Sequence, residues 1–487
     1  MPQLYPHSLA LLTDLYQLTM AYGYWKIGTA DRQAVFHHTF RKNPFGSGFS
    51  LAAGLECAID FLNNFRFEES DLSYLGSLTG NDDQPLFSPD FLKYLGKLKL
   101  TCDIDAMVEG TVVFPHEPIL RVRGPMLQCQ LLETPLLNII NFQTLVATKA
   151  ARVVRATHGE PILEFGLRRA QGVDGALAAS RAAYLGGCDA TSNLLAGKLY
   201  NIPVRGTHAH SWVMSFDDEL ESFRAYASAM PNNCVFLVDT YNTLAGIRKA
   251  AEVGAELKKT GHKMIGIRLD SGDLAYLSIE ARKILDDAGL KDAVILASND
   301  LDEHIIASLK QQGATIAVWG VGTKLVTAYD QPAFGGVYKL GAIQNDTGHW
   351  EYKLKLSEQS EKISTPGTLQ VRRFHQDGHL AGDAIYDEHL GAKGAVTIID
   401  PGDITRRKTF QRNTKQEDLL VPIYRGGKQV YQPPKLVETR EHAKKEIASL
   451  HPTITRLLNP HQYPVGLVKD LHDLKLKLVL KARGIEA

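Results

Sequence analysis

The feature that most constrains this chain is a succession of short apolar runs between about residues 160 and 320, each followed by a cluster of polar residues. The runs are Ile162-Leu163-Glu164-Phe165, Asp189-Ala190-Thr191, Pro203-Val204-Arg205, 235–238, 264–269, 294–297 and 315–319. Helix-length amphipathic segments such as 274–288 separate them. Continuous apolar strands alternating with amphipathic helices are the pattern of parallel βα units whose sheet is covered on both faces. Seven such units precede Gly341, and a barrel is their natural closure.

The polar residues after each run are more informative than the run itself. In chain order come Phe165-Gly166-Leu167-Arg168-Arg169, Asp189-Ala190-Thr191-Ser192-Asn193, Gly206-Thr207-His208-Ala209-His210, Asp239-Thr240-Tyr241-Asn242, Arg268-Leu269-Asp270-Ser271-Gly272-Asp273, Ser298-Asn299-Asp300 and Gly320-Val321-Gly322-Thr323-Lys324. One polar loop is explained by a turn or a helix cap. A ring of them at strand C-termini is where the loops of a βα barrel converge on one site.

The flanking segments read differently. Residues 34–54 alternate, with Phe36, His38 and Phe40 on one face, and the Asn43-Pro44-Phe45-Gly46-Ser47-Gly48 break predicts a hairpin-like strand pair. Residues 108–113 and 119–122 predict a second pair around Pro115-His116-Glu117-Pro118. A helix is expected from Pro135, with Thr134 as N-cap and Gly159 as the stop. Beyond Gly341 the chain turns β-rich again, with an Asp377-Gly378 turn between 371–374 and 384–386, in a position to complete the N-terminal sheet. The tail from Glu438 is helical in pattern and interrupted at Asn459-Pro460. The expected organisation is an N-terminal α/β domain over 1–134, a βα barrel over 135–340, and a C-terminal segment over 341–487 that returns to the N-terminal domain.

Charge narrows the partners. Lys plus Arg and Asp plus Glu number 54 each, so nothing steers the chain toward nucleic acid or an anionic membrane, and any phosphate site must be local. The five cysteines, Cys57, Cys102, Cys129, Cys188 and Cys234, are scattered and without CxxC spacing, which suits a reducing cytoplasm and no structural zinc. Residues 1–25 carry Asp14 within their apolar stretch and do not read as a signal peptide, and no run is long enough to span a bilayer.

Several constellations carry chemistry, each beside a plainer reading. Gly320-Val321-Gly322-Thr323 after the last strand is either a tight turn or a backbone cradle for phosphate. Arg268, Asp270 and Asp273 either close the barrel mouth as an internal ion pair, or hold a carboxylate, ribose hydroxyls and a hydrated Mg²⁺. His208 and His210 offer a nucleophile or acid–base group, or a core histidine; no third metal ligand accompanies them. Tyr16 on a helix-like segment and Arg41-Lys42 beside a Pro/Gly-rich loop are ambiguous alone. Without a Walker A sequence, any ATP binds by another route than a P-loop.

Taken in order, Leu12-Thr13-Asp14-Leu15-Tyr16-Gln17-Leu18-Thr19-Met20, Glu164-Phe165-Gly166-Leu167-Arg168-Arg169-Ala170, Gly206-Thr207-His208-Ala209-His210-Ser211, Arg268-Leu269-Asp270-Ser271-Gly272-Asp273, Gly320-Val321-Gly322-Thr323 and Arg456-Leu457-Leu458-Asn459-Pro460-His461 resemble the nicotinate phosphoribosyltransferase family over nearly the whole chain. The resemblance implies an irregular seven-stranded βα barrel joined to an α/β domain built from both chain ends, and a homodimer with shared active sites. It implies formation of nicotinate mononucleotide and pyrophosphate from nicotinic acid and phosphoribosyl pyrophosphate, in NAD salvage, coupled to ATP hydrolysis through a phosphohistidine, with Mg²⁺.

Carried over residue by residue, Tyr16 from the partner stacks on the pyridine ring against Phe165. Thr207 and Arg268 face the nicotinate carboxylate with Arg168 nearby, and Arg41 reaches phosphate from the partner. Gly320, Gly322 and Thr323 cradle the 5′-phosphate, and Asp270 and Asp273 act at the reacting centre, where they are the candidates to meet Mg²⁺ brought by pyrophosphate. His210 matches the phosphorylated histidine, and His208 receives no role. The rival readings are a nicotinamide phosphoribosyltransferase and a non-catalytic sensor of pyridines or phosphoribosyl pyrophosphate; quinolinate phosphoribosyltransferases are much shorter.

Overall fold

The computed structural model describes residues 8–359 and 362–485, which divide into two compact units. One comprises residues 8–145, 333–359 and 362–485, the other residues 146–332. The division falls within a 24-residue helix, Glu133–Ala156, which begins two residues before the expected start. Thr134 is not its cap, for its hydroxyl donates to Asp14 Oδ2 at 2.8 Å.

The 146–332 unit is built on a six-stranded parallel sheet. Its order is Ala190–Thr191, Ile162–Glu164, Val318–Val321, Val294–Ala297, Gly266–Leu269 and Val235–Leu237. Ile267, Leu269, Ile295, Ala297, Trp319 and Val321 are each at most 1% exposed, as strands covered on both faces require. Six of the seven expected runs are strands, and the seventh survives as a single bridge between Val204 and Thr191. The sheet is therefore a half-barrel with Val235–Leu237 at one edge.

The crossover helices start on short polar caps. Asn193, Asp218, Asn242, Asp273 and Asp302 accept from backbone N–H groups two to three residues on, at the N-termini of Leu194–Tyr200, Glu219–Ala229, Thr243–Lys259, Leu274–Asp287 and Glu303–Gln311. The polar loops after the strands thus serve two ends: residues at the strand terminus face the site, and those a few positions later start the next helix.

The other unit is mostly antiparallel, with one parallel pairing between His379–Asp387 and Val465–Val468. Its seven-stranded sheet runs Trp350–Tyr352, Val337–Gln344, Gln33–Thr39, Leu120–Pro125, Asp103–Ala106, Val421–Arg425 and Lys428–Gln429. The C-terminal segment supplies strands at both edges of the N-terminal sheet, as expected. Both expected early strand pairs are corrected. Gln33–Thr39 pairs with Leu120–Pro125 and Val337–Gln344, whereas Ser50–Leu51 pairs with Val112–Val113 in a separate small sheet. The reason is burial: the interior of Gln33–Thr39 is buried on both faces, so it needs a neighbour on each side and cannot be an outer hairpin arm.

His37 and His38 lie on opposite faces of that strand and are both buried. His37 Nε2 accepts from the Leu369 N–H at 3.1 Å, and His38 Nε2 hydrogen-bonds Asn141 Oδ1 at 2.9 Å. Desolvation lowers them to about 3 and about 4, so both are neutral. The expected hairpin forms between Leu369–Gln376 and His379–Asp387, with Asp377 and Gly378 both at positive φ. Among the described residues no helix is long and apolar enough to cross a membrane.

Candidate active site

The strand order of the 146–332 unit sets Phe165, Gly320, Ser298, Arg268 and Asp239 in sequence along the C-terminal edge of the sheet. Buried Glu164 fixes the first of them. Its Oε2 accepts from Ser180 Oγ at 2.8 Å and Thr191 Oγ1 at 2.6 Å, and its Oε1 takes the Gly166 N–H, holding the chain in the turn that presents Phe165. Gly166 has no room for more, since a Cβ there would lie 2.3 Å from Val326 Cγ1.

Arg268 is the hub. Its Nε donates to Ser298 Oγ at 2.9 Å, Nη1 to Thr207 Oγ1 at 3.1 Å and Nη2 to Asp270 Oδ1 at 2.9 Å. The guanidinium carbon lies 5.6 Å from the centre of the Phe165 ring. Three of the five guanidinium N–H groups are thereby used, leaving one on each terminal nitrogen for a further acceptor. Gly320 is needed beneath the ring, for a Cβ there would sit 2.8 Å from Phe165 Cδ2. Gly322 passes close to the Phe165 carbonyl and opens the strand into the short helix Thr323–Val326.

Asp270 accepts from Ser298 Oγ as well, and its other oxygen lies 3.8 Å from His210 Nε2. His210 starts the helix His210–Met214, and its Nδ1 hydrogen-bonds Thr240 Oγ1 at 3.1 Å. Asp239 Oδ2 accepts both the Asp270 N–H at 2.9 Å and Ser271 Oγ at 2.6 Å, so it sets the position of the Asp270 loop. Its Oδ1 is buried and, among the described residues, without a hydrogen-bond partner. Beside these residues the backbone is strained, with Asn299 and Asp300 both at positive φ.

The structure thus joins Thr207, Arg268, Asp270, Phe165 and Gly320, with His210 beside Asp270. Asp273 is exposed, and its Oδ1 accepts from the Tyr276 N–H at 3.0 Å as a helix cap. Arg168 is exposed and forms no ion pair among the described residues. Tyr16, 47% exposed on Leu15–Lys26, and Arg41 belong to the other unit. His208 is buried against Tyr226 and Phe236, and its Nε2 accepts the Leu237 N–H at 3.2 Å, satisfying a donor of the edge strand; burial lowers its pKa. Sequence reasoning assigned no role to Asp239, Thr240, Ser298 or Glu164. Their signal was their position directly at strand ends, within loops already singled out.

An open parallel sheet whose C-terminal edge carries a guanidinium, two carboxylates, an aromatic ring and a glycine-rich final turn defines an enzyme-like small-anion site of the βα class. Residues 11–141 match the nicotinate phosphoribosyltransferase N-terminal domain, 161–365 the nicotinate phosphoribosyltransferase family and 370–475 its C-terminal domain. The chain is 46% identical to nicotinate phosphoribosyltransferase of Bacillus subtilis, covering 98% of this chain and 96% of that protein. It is 37% identical to the Homo sapiens nicotinate phosphoribosyltransferase over 95% of each chain. The crystal structure of human nicotinic acid phosphoribosyltransferase superposes with a TM-score of 0.82 at 34% identity, over 96% of this chain and 99% of that one. The chain belongs to the nicotinate phosphoribosyltransferase family.

Proposed function

We propose that this chain joins nicotinic acid to phosphoribosyl pyrophosphate, forming nicotinate mononucleotide and pyrophosphate as a step of NAD salvage. The observation that carries the reading is the Arg268 fork, held by Ser298, Thr207 and Asp270 beside the Phe165 ring with N–H groups to spare. A planar, pre-oriented guanidinium next to an aromatic face suits an aromatic carboxylate. The pyridine nitrogen attacks the anomeric carbon as the bond to pyrophosphate breaks, so the protein's task is alignment and charge stabilisation. The partner subunit's Tyr16 closes the other face of the pyridine in a homodimer with shared sites.

Asp239 Oδ1 and Asp270 Oδ2 are the oxygens that would hold Mg²⁺, directly or through its waters; Asp273 is engaged as a cap. When bound, the ion neutralises charge on the departing pyrophosphate. ATP enters as co-substrate. Thr240 occupies Nδ1 of His210, which leaves Nε2 as the nucleophile for the γ-phosphorus; ADP departs and water later cleaves the phosphohistidine. The altered affinities of the phosphorylated and free states drive the exchange. All five cysteines are buried and none is joined in a disulfide, which suits the cytoplasm proposed for the chain.

The test is to incubate the purified chain with nicotinate, phosphoribosyl pyrophosphate and Mg²⁺, with and without ATP, and identify the product by mass. Nicotinate mononucleotide should form in both arms and faster with ATP; no product in either arm sinks the reading and favours a sensor.

A further inference from the structure

Two neighbouring strands of the 146–332 unit end in loops that carry different parts of the site. Val294–Ala297 leads into Ser298, which holds Arg268 and Asp270, and Val318–Val321 leads into Gly322 and Thr323. Their parallel pairing stops early, at Leu296 opposite Val318 and Ala297 opposite Trp319. On its other side Val318–Val321 stays paired further, with Gly320 opposite Leu163 and Val321 opposite Glu164, and the Phe165 N–H donates to the Val321 carbonyl at 2.9 Å. The glycine-rich turn is therefore fastened toward Phe165 by the sheet, while toward Ser298 the ladder has already ended.

A side-chain pair spans that gap. Lys324, next to Thr323, donates from Nζ to Asp302 Oδ2 at 2.7 Å. Asp302 is fixed independently of the lysine: its Oδ1 accepts the His304 and Ile305 N–H groups at 3.0 and 2.8 Å, capping Glu303–Gln311. Buried Glu303 follows, 2.7 Å from Lys149 Nζ and 2.8 Å from Arg152 Nε, and Leu301 on the other side is buried as well. This end of the loop is an anchor, and the loop needs one. Asn299 and Asp300 sit at φ 102 and 43, a conformation that persists only where its surroundings over-determine it. The Lys324 ammonium also lies 5.1 Å from the centre of the Tyr329 ring, so it is held from two directions. With side chains 21% and 7% exposed, the pair is shielded from the solvent that loosens surface ion pairs.

We propose that the Lys324–Asp302 pair is a latch that sets the Gly322-Thr323 turn against the Ser298 loop, so that both act as positioning residues for a bound 5′-phosphate and neither touches it. The proposal rests on the transferase reading, in which that turn meets the phosphoribosyl 5′-phosphate, and it gives roles to two residues for which that reading has none. A lysine one position from the turn invites assignment as a phosphate ligand. The pairing argues against it, because an ammonium already neutralised by a carboxylate 2.7 Å away brings little net charge to an incoming phosphate.

Variants of the full-length protein separate the two roles. Asp302→Asn, or Asp302→Ser should the amide not fold, keeps a capping oxygen and removes the charge that holds Lys324. Lys324→Met removes the other partner, and Lys324→Arg keeps the pair; thermal unfolding establishes that each is folded. Ribose 5-phosphate binding, read by calorimetry, should weaken roughly tenfold in Asp302→Asn and Lys324→Met alike, no further in the double variant, and little in Lys324→Arg. In turnover, KM for phosphoribosyl pyrophosphate should rise by a similar factor while the nicotinate-to-nicotinamide preference is kept, since Arg268 retains its own hold on Ser298. Were Lys324 a phosphate ligand, Asp302→Asn would bind ribose 5-phosphate as tightly as the wild-type protein or more tightly, and that result overturns the latch. No binding by the wild-type protein, or additive losses in the double variant, overturns it as well. Coupled losses of ribose 5-phosphate affinity in a protein that makes no nicotinate mononucleotide would keep the latch and sink the transferase reading, whereas an active enzyme indifferent to both substitutions would do the reverse.

Discussion

Gly320→Ala separates two roles for the last glycine-rich turn. The added methyl would lie 2.8 and 2.9 Å from Phe165 Cδ2 and Cε2, with Ser298 Cβ at 3.3 Å blocking its retreat. Carbon atoms settle at roughly 3.5–4.0 Å, so the ring must move by about 0.7–1 Å. That displaces the ring from the guanidinium carbon now 5.6 Å from its centre. A misplacement of this size costs up to about a hundredfold in rate, and kcat/KM for nicotinate should fall roughly 10–100-fold. Overpacking should also destabilise the fold by about 1–3 kcal/mol. Steady-state kinetics with each substrate varied in turn, beside thermal unfolding, reads both effects. A second variant carrying Phe165→Leu as well should recover stability without recovering nicotinate use. Unchanged nicotinate kcat/KM in folded Gly320→Ala, with a raised KM for phosphoribosyl pyrophosphate, would refute ring clearance and return the residue to the phosphate cradle.

ATP and Mg²⁺ should place an acid-labile, base-stable phosphate on the protein that His210→Ala abolishes and His208→Ala retains; a labelled His210→Ala protein would remove the histidine from the coupling step. Mixed dimers of Tyr16→Ala and Asp270→Ala chains should recover activity through one intact site, and inactivity of verified heterodimers would argue against sharing. Because folded His37 and His38 titrate near 3 and 4, the unfolded chain takes up protons they refuse as pH falls below about 6.5. Their contribution is complete above that pH and falls as it drops, by roughly 1 kcal/mol for each histidine between pH 6.5 and 5.5; denaturant unfolding at the two pH values should show about 2 kcal/mol, and a flat profile would contradict neutral burial.

The parallel sheet was legible because its strands are continuous apolar runs, and the loops after them flagged Arg268, Asp270, Thr207 and Phe165 together. The antiparallel unit was legible only in part. Alternation identifies Gln33–Thr39 as a strand but not its partners, which come from residues 120–125 and 337–344, since long-range pairing leaves no local signature. The site shows the same limit. A carboxylate after a strand looks the same whether it holds a neighbouring loop, as Asp239 does, or caps a helix, as Asp273 does. Only the three-dimensional register separates them. Gly320 was legible as a constrained glycine, but the Phe165 ring that constrains it comes from a strand more than a hundred residues away.

The central claim is that the Arg268 fork selects a pyridine carboxylate, and the ratio of kcat/KM for nicotinate over nicotinamide tests it most directly. A charge-assisted pair contributes about 1.5–3 kcal/mol, so the ratio should be of the order of 10–150 in the wild-type protein. In Arg268→Lys, which keeps the charge and loses the fork, it should shrink toward unity. A wild-type ratio near or below one, or a ratio unmoved in folded Arg268→Lys, would contradict the account.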